Sequence, residues 1–294
     1  MNIAVLSRNP ALYSTQSLVQ AARRRHHYVR VIDYVNCDIV IDAEFPKILY
    51  NGQELANIDA VIPRIGAGHT AYGAQIIRQF KASGVYSTLD ENALLHARNK
   101  IASMQILSSN GILIPKSLIS NNSLFFDDVL KELDDPRVVI KLVNGTHGLG
   151  VVLADSHKQA TSIMEALARS KSKVFMQEFI EEAGGADIRV FIVNGQIEGT
   201  MKRQAKAGEF RSNLHRGATA NIEPISDKEA EIALKAAEIL GLKIAGVDML
   251  RSKRGPMILE VNASPGLEGI ETTTKNDIAS KIISMIEADT KKQK

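Results

Sequence analysis

The sequence has no tryptophan and a single cysteine, Cys37, among 294 residues. One thiol closes no disulfide and builds no thiolate metal site within the chain, so a disulfide-stapled secreted domain is excluded and a reducing cytosol is the expected home. No apolar run reaches membrane-spanning length. The opening "MNIAVLSRNP" has an apolar stretch too short for a signal peptide and no basic region before it, so cytoplasmic placement without membrane association is expected. Charge of one sign is also scarce: a net charge of +3 and a pI near 8.8 give little support to nucleic-acid binding through bulk charge. Three signatures are missing. No Gly-x-Gly-x-x-Gly turn follows the first strand, no Gly-Lys-Ser/Thr follows the glycine-rich stretch near residue 145, and there is no Gly-x-Ser-x-Gly elbow. A Rossmann dinucleotide site, a Walker A loop and a serine hydrolase are thereby set aside.

What is present reads as a soluble α/β protein of two or three modules, with 45% hydrophobic and 23% charged residues. "NIAVLS", the helical "LYSTQSLVQAARRR" and "YVRVID" form a β-α-β opening, and with "DAVIPRI" they predict a parallel sheet. Gly73, Ile76, Ile77 and Phe80 keep helical spacing, with Gly84 as C-terminal cap. A second unit starts near Asn99 with the stripe Ile101, Met104 and Leu107. "RVVIKLV" and "GVVLA" predict a hairpin, and Ser156 with Gln159 a capping box. "KVFMQEFI" opens a third unit, and the Asn-Gly in "DIRVFIVNGQIEGTM" marks a tight hairpin. Ser226 with Glu229 predicts another capping box before strands "AGVDML" and "PMILEVN". The tail "DTKKQK" is expected to be disordered, and "ARRRHH" near residue 23 to be a solvated face.

The chemistry concentrates in four stretches. In "GPMILEVNASPGLEGIE", alternation places Met257, Leu259 and Val261 on one face of a strand and Ile258, Glu260 and Asn262 on the other, with Ser264-Pro265-Gly266 ending it. Asp248 leaves the packed face of the preceding strand between Val247 and Met249. Antiparallel pairing would join two carboxylates and an amide oxygen, a hard-oxygen set suited to magnesium or manganese. The competing reading is a surface salt bridge from Arg251 or Lys253. In "KLVNGTHGLGV", Lys141 with Gly145, Gly148 and Gly150 could cradle a phosphate, though many hairpin loops are equally rich in glycine. In "MQEFIEEAGGADIR", Glu178, Phe179 and Ile180 could meet an adenine edge and Asp187 a ribose. "MKRQAKAGEFRSNLHRG" gathers Lys202, Arg203, Lys206, Arg211, His215 and Arg216, which could clamp a triphosphate and an acidic substrate.

Taken in order, Lys100, Lys141, the glycine turn, "QEFI" with Asp187, "FRSNLHRG", Asp248 and "EVNASPGLEGIE" resemble the ATP-grasp superfamily, and within it the RimK-type α-L-glutamate ligases, over nearly the whole chain. The resemblance implies an N-terminal pre-ATP-grasp α/β domain over 1–98 and an α+β ATP-grasp domain over 99–294. The latter would hold ATP between a central lid-like subdomain, about 112–174, and a C-terminal subdomain, about 175–290. Lys100, Lys141 and the loop glycines Gly145, Gly148 and Gly150 would contact phosphates, and Glu178, Phe179 and Ile180 the adenine. Asp187 would meet the ribose, Arg211, Ser212 and Asn213 the phosphate side, and Asp248, Glu260 and Asn262 two Mg2+ or Mn2+ ions. Arg203, Arg211, Asn213 and Arg216 would serve catalysis. His147 stands where relatives carry glutamine.

The implied reaction adds L-glutamate to the C-terminus of a small-subunit ribosomal protein through an acyl phosphate, in a cytoplasmic homo-oligomer without direct nucleic-acid contact. Two alternatives stand beside it. One is a related ligase with another amino acid or acceptor. The other is a non-catalytic nucleotide-binding regulator, against which the complete metal trio and both lysines weigh.

Overall fold

The computed structural model describes residues 1–120, 125–142, 150–168 and 174–293. Gly145, His147 and Gly148 lie outside the described residues. The chain opens with β1 (Asn2–Leu6), α1 (Tyr13–Arg24) and β2 (Tyr28–Ile32). A small antiparallel sheet follows, β3 (Cys37–Val40), β4 (Lys47–Tyr50) and β5 (Gln53–Glu54). The sequence reading assigned no structure to this stretch, although Asn51-Gly52, both at positive φ, carries the hairpin signal. Next come β6 (Ala60–Pro63), α2 (Thr70–Ala82) and β7 (Tyr86–Ser87). The order β2-β1-β6-β7 is parallel throughout, as the alternating elements predict. Two helices then meet end to end, α3 (Glu91–Arg98) and α4 (Lys100–Ser109). Asn99 joins them, and its side chain accepts from the N–H groups of Ile101 and Ala102, which places Lys100 on the first turn of α4.

The middle of the chain holds β8 (Ser117–Leu118), α5 (Phe126–Leu130), β9 (Val138–Leu142), β10 (Val151–Ala154), α6 (His157–Ala168) and β11 (Val174–Glu178). Its antiparallel sheet, β10-β9-β11-β8, includes the expected hairpin with Lys141 opposite Val151. It has a core of its own, with Phe126, Leu130, Val138, Ile140, Met164 and Met176. The capping box at α6 is half formed: Ser156 accepts from the Gln159 N–H, but the Gln159 side chain accepts from the N–H of Asp155.

A five-stranded antiparallel sheet completes the fold: β12 (Ala186–Val193), β13 (Gln196–Gln204), β14 (Thr219–Ile222), then after α7 (Asp227–Ile239) β15 (Ile244–Ser252) and β16 (Gly255–Asn262). Its order is β14-β13-β12-β15-β16. Asn194 and Gly195 make the predicted tight turn at positive φ, and Ser226 and Glu229 form both halves of their capping box. Leu6, Phe80 and Leu94 share one hydrophobic core with Ala233, Val247 and Met249, so the parallel sheet and the five-stranded sheet are packed together.

The chain ends in α8 (Glu268–Thr274) and α9 (Ile278–Gln293). Helix α9 buries Ile282, Ile283 and Ile286 in a core shared with Leu18, Ala21 and Ala22 of α1. It corrects the expectation of a disordered tail by running on to Gln293, with Asp289 paired to Lys243 at 2.7 Å and accepting from the Tyr86 hydroxyl. The basic run after α1 is likewise more than a solvated face. Arg24 pairs with Asp277 at 2.8 Å, Arg25 forks onto Glu287, and His27 meets the same Glu287 at 2.7 Å.

Candidate active site

On β15 and β16 Asp248 stands directly opposite Glu260 and Gly246 opposite Asn262. The pairing then slips from Asp248↔Glu260 to Met249↔Ile258, which leaves Leu259 as the extra residue of a β-bulge. The bulge corrects the simple alternation: Ile258 and Val261 both enter the large core, so Ile258 does not share the face of Glu260. Beyond the bulge the two acids and the amide come together, with the Asn262 Nδ2 3.5 Å from Asp248 Oδ2. Among the described residues no group of three or more His, Cys, Asp or Glu side chains could hold a metal ion. The set here is two carboxylates and one amide, whose chemistry fits a hard cation keeping other positions for water and phosphate oxygens.

The two acids have different partners. Asp248 is 4% exposed and receives both Arg189, through Nε and through Nη2 at 2.6 Å, and Arg203 at 3.0 Å. Burial works against its charge, but the two guanidiniums outweigh burial and hold its carboxyl below the usual range. Arg203 also forks onto Asp187, which is itself 4% exposed and whose carboxyl burial pushes up. The salt-bridge alternative fails in its stated form, since Arg251 pairs with Glu223 and Glu229, and the Lys253 N–H donates to Glu182.

Glu260 is more open, with 45% of its side chain exposed, and meets Lys100 at 3.7 Å. Lys141, from β9 of the other sheet, points to the same place. Burial brings its pKa down to about 8, with Glu260 working against that and the charge of Lys100 adding a smaller push in the same direction as burial. Its ammonium donates to the Gln177 Oε1, and the Gln177 Nε2 donates onward to Ser117 at 2.9 Å. Two lysines and a carboxylate from three parts of the chain therefore converge.

At the end of β11 the Glu178 side chain accepts from the Lys116 N–H at 2.6 Å and from Arg254 at 2.5 Å. Phe179 sits edge-on to Phe210 at 6.4 Å and beneath Arg137 at 4.9 Å, while Ile180 is buried. Arg211 forks onto Glu209 at 2.9 and 2.7 Å and reaches the Val151 carbonyl on β10 at 3.2 Å, linking the two sheets. That pairing brings the pKa of Glu209 down to about 2. Ser212 and Asn213 are half-buried, and Arg216 belongs to the short turn Leu214–Arg216. Gly150 lies at φ +74°, where a Cβ would stand 2.7 Å from Leu142.

The basic run does not form one cluster. Arg203 is buried on its aspartates, whereas Lys206 and His215 are exposed. Arg203 therefore stands apart from the rest of the basic run: on β13, opposite Asp187 of β12, it faces the inner carboxylates. Sequence reasoning left Gln177, Arg64 and Arg98 without a role. Gln177 had a signal, a polar residue inside the apolar run "KVFMQEFI"; the arginines had none, because their partners are distant in sequence.

Residues 97–286 match the RimK-like ATP-grasp domain, and residues 1–94 the RimK PreATP-grasp domain. A protein of Hydrogenovibrio crunogenus named "Probable alpha-L-glutamate ligase" is 48% identical over 291 residues, covering 99% of this chain and 97% of the relative. One of the same name from Halorhodospira halophila is 50% identical over 291 residues, covering 99% and 96%. Among solved structures, the ATP-grasp ligase PsnB complexed with a phosphomimetic variant of minimal precursor, Mg and ADP superposes with a TM-score of 0.75 at 20% identity, covering 98% of each chain. D-alanine–D-alanine ligase from Bacillus anthracis superposes with a TM-score of 0.69 at 17% identity, covering 99% and 98%. By these full-length matches the chain belongs to the RimK-like ATP-grasp family of ATP-dependent carboxylate–amine ligases.

Proposed function

We propose that this ligase joins L-glutamate to the C-terminal carboxylate of a protein acceptor, a small-subunit ribosomal protein, using ATP. The observation that carries the reading is the convergence of Lys100 and Lys141 on Glu260, across the strand pair from Asp248. Such a place suits a polyphosphate: two cations for its oxygens and an oxygen-donor set for its metals. The relatives' name supports glutamate as the amino acid, and the precursor, Mg and ADP held by PsnB support a peptide acceptor and a magnesium nucleotide.

The chemistry asks for positioning and charge neutralisation more than for a side-chain nucleophile. Burial pushes the Cys37 thiol up to about 12, which suits a core residue and not a nucleophile. In the proposed reaction an acceptor carboxylate oxygen attacks the γ-phosphorus and ADP departs. The glutamate amine then attacks the acyl carbon, the amide forms, and phosphate leaves. Magnesium or manganese, two ions held by Asp248, Glu260 and Asn262, would neutralise phosphate charge. Lys100, Lys141, Arg211 and the glycine turn bind phosphates, with Ser212 and Asn213 beside them. The Glu178–Ile180 backbone holds the adenine. Asp187 meets the ribose in the nucleotide-bound enzyme, sharing a carboxylate that Arg203 otherwise occupies. Arg203 acts as a positioning residue through Asp248, and Arg216 is assigned to use of the acceptor.

The test is ADP release by the purified protein with each amino acid, with and without the acceptor protein, followed by intact mass. Mass increments of whole glutamyl units on the acceptor support the proposal. Turnover with another amino acid or without the acceptor would point to a related ligase, and no turnover to a nucleotide-binding regulator. The proposed cytoplasmic homo-oligomer is checked by light scattering on the same preparation.

A further inference from the structure

Arg64 and Arg98 are half-buried, and among the described residues neither is ion-paired to an acid. Arg64 follows β6 directly, at the carboxyl edge of the parallel sheet, and its Nη2 donates to the Pro265 carbonyl at 2.8 Å. Arg98 ends α3, and its Nη2 donates to the Ile65 carbonyl at 2.6 Å, one residue beyond Arg64. The Arg98 Nε is buried without a hydrogen-bond partner among the described residues. Among the described residues neither guanidinium has a carboxylate within ion-pair distance, whereas Arg189 and Arg203 both chelate aspartates. Each uses one donor of a five-donor fork on a carbonyl, so other in-plane N–H donors are left for a further acceptor. Burial, with Arg98 beside it, brings the pKa of Arg64 down to about 10.

Two half-buried cations side by side repel each other, and a bound anion would relieve that repulsion. The acid whose charge Arg98 feels is Glu260, which belongs to the proposed metal set. The pair also lies next to the reaction centre: Pro265 follows Asn262 by three residues, and Ser264 approaches the Pro63 carbonyl at 3.5 Å. Ligands of open parallel sheets bind in the crevice outside the carboxyl ends of the strands, where these arginines sit.

Resting on the function proposed above, we propose that Arg64 and Arg98 together hold a non-reacting carboxylate of the incoming L-glutamate and so aim its amine at the acyl carbon. The charge demands of the reaction select this occupant over the acceptor. The acceptor carboxylate must be phosphorylated, and a bidentate clamp by guanidiniums would draw charge from its attacking oxygen. Glutamate brings two carboxylates that never react, and a planar fork matches a carboxylate in both charge and geometry.

The experiment is steady-state ADP release by wild type, Arg64→Lys and Arg98→Lys. A peptide with the C-terminal sequence of the ribosomal acceptor is used, and KM is measured separately for L-glutamate, acceptor and ATP. Each lysine keeps a charge and loses the fork. KM for L-glutamate should rise about 10- to 100-fold, the range of one or two lost charge-assisted hydrogen bonds, while the other two constants stay within about 2-fold. L-Glutamine and L-isoglutamine each lack one carboxylate. The analogue missing the clamped group should be poor with wild type and no poorer with the variants. Thermal unfolding is followed in parallel, and Arg98→Lys decides if Arg64→Lys does not fold. An unchanged KM for glutamate overturns the inference, as does a rise confined to the acceptor, which would place the acceptor's carboxylate on the pair. Wild type that releases no ADP on addition of glutamate overturns the proposed function itself, before any variant is compared.

Discussion

Asp248 and Glu260 face each other across β15 and β16, yet one is sealed beneath two arginines and the other looks out toward Lys100. Opposite positions in one ladder therefore carry different loads. Asp248 ties the sheet together as well as offering an oxygen, whereas Glu260 offers mainly its charge.

Glu260→Gln and Asp248→Asn should each lower kcat by ~10²–10³-fold, the usual loss for one preorganised electrostatic partner. Only Asp248→Asn should also destabilise the fold, by about 3–5 kcal/mol, because it takes from Arg189 its paired acid and from Arg203 one of its two. Activity at ordinary magnesium concentration and urea unfolding of both variants give the answer. Near-normal turnover in Glu260→Gln would remove it from the metal set.

Arg203→Ala should behave as a stability mutant first. It strands Asp187 in the interior and leaves Asp248 with Arg189 alone, and about 3–5 kcal/mol should be lost. Pairing Arg203→Met with Asp187→Leu should cost less than the two single changes added together, since the double variant removes both members of a buried pair. A soluble Arg203→Ala protein with wild-type unfolding and a weakened acceptor KM would restore Arg203 to the substrate surface.

Lys141 supplies a pH signature. Its free-enzyme pKa near 8 lies below the ordinary lysine value, and a bound phosphate favours the charged form. Nucleotide affinity should be level below about pH 8 and weaken above it, by up to tenfold per unit, until the pKa of the complex is reached. Fold stability should move the other way: between about 8 and 10.5 the unfolded chain holds a proton that the folded one has released, so stability from this group rises with pH. Calorimetric ADP titrations across that window check the first statement, and Lys141→Arg should erase the inflection.

Gly246 is the register partner of Asn262, and a Cβ there would stand 2.7 Å from the Pro265 Cβ. Gly246→Ala should cost ~1–3 kcal/mol through overpacking. By displacing Pro265 and with it the anchor of Arg64, it should also reduce turnover by up to ~10²-fold, the scale of a 1 Å misplacement. An unchanged melting temperature with full activity would show that the ring moves aside freely.

Where local physics decides, the sequence reads correctly. The Asn194-Gly195 turn, the Ser226–Glu229 capping box, the parallel opening and the antiparallel pair bearing Asp248 and Glu260 each depend on residues close in the chain. The misreadings have equally specific causes. Strict alternation misplaced Ile258 because a bulge at Leu259 adds one residue on one side only. The charged tail looked disordered because the partners of Asp289, Tyr86 and Lys243, lie 203 and 46 positions earlier.

By itself, then, the sequence determined which groups are available and on which local elements they ride: strands with outward oxygens, a glycine-bearing hairpin after Lys141, helices with their caps. Only the tertiary structure decided which charge answers which. Arg251 and Lys253 are near Asp248 in the chain, yet Arg189 and Arg203 hold it, because β12 is the strand that pairs with β15 and β13 lies next to β12. Arg64 reaches Pro265 across 201 positions. Any of the 36 lysines and arginines could neutralise any acid at equal energy in an extended chain. Folding removes that freedom by bringing a few of them into a low-dielectric interior, where a partner is worth far more than in water.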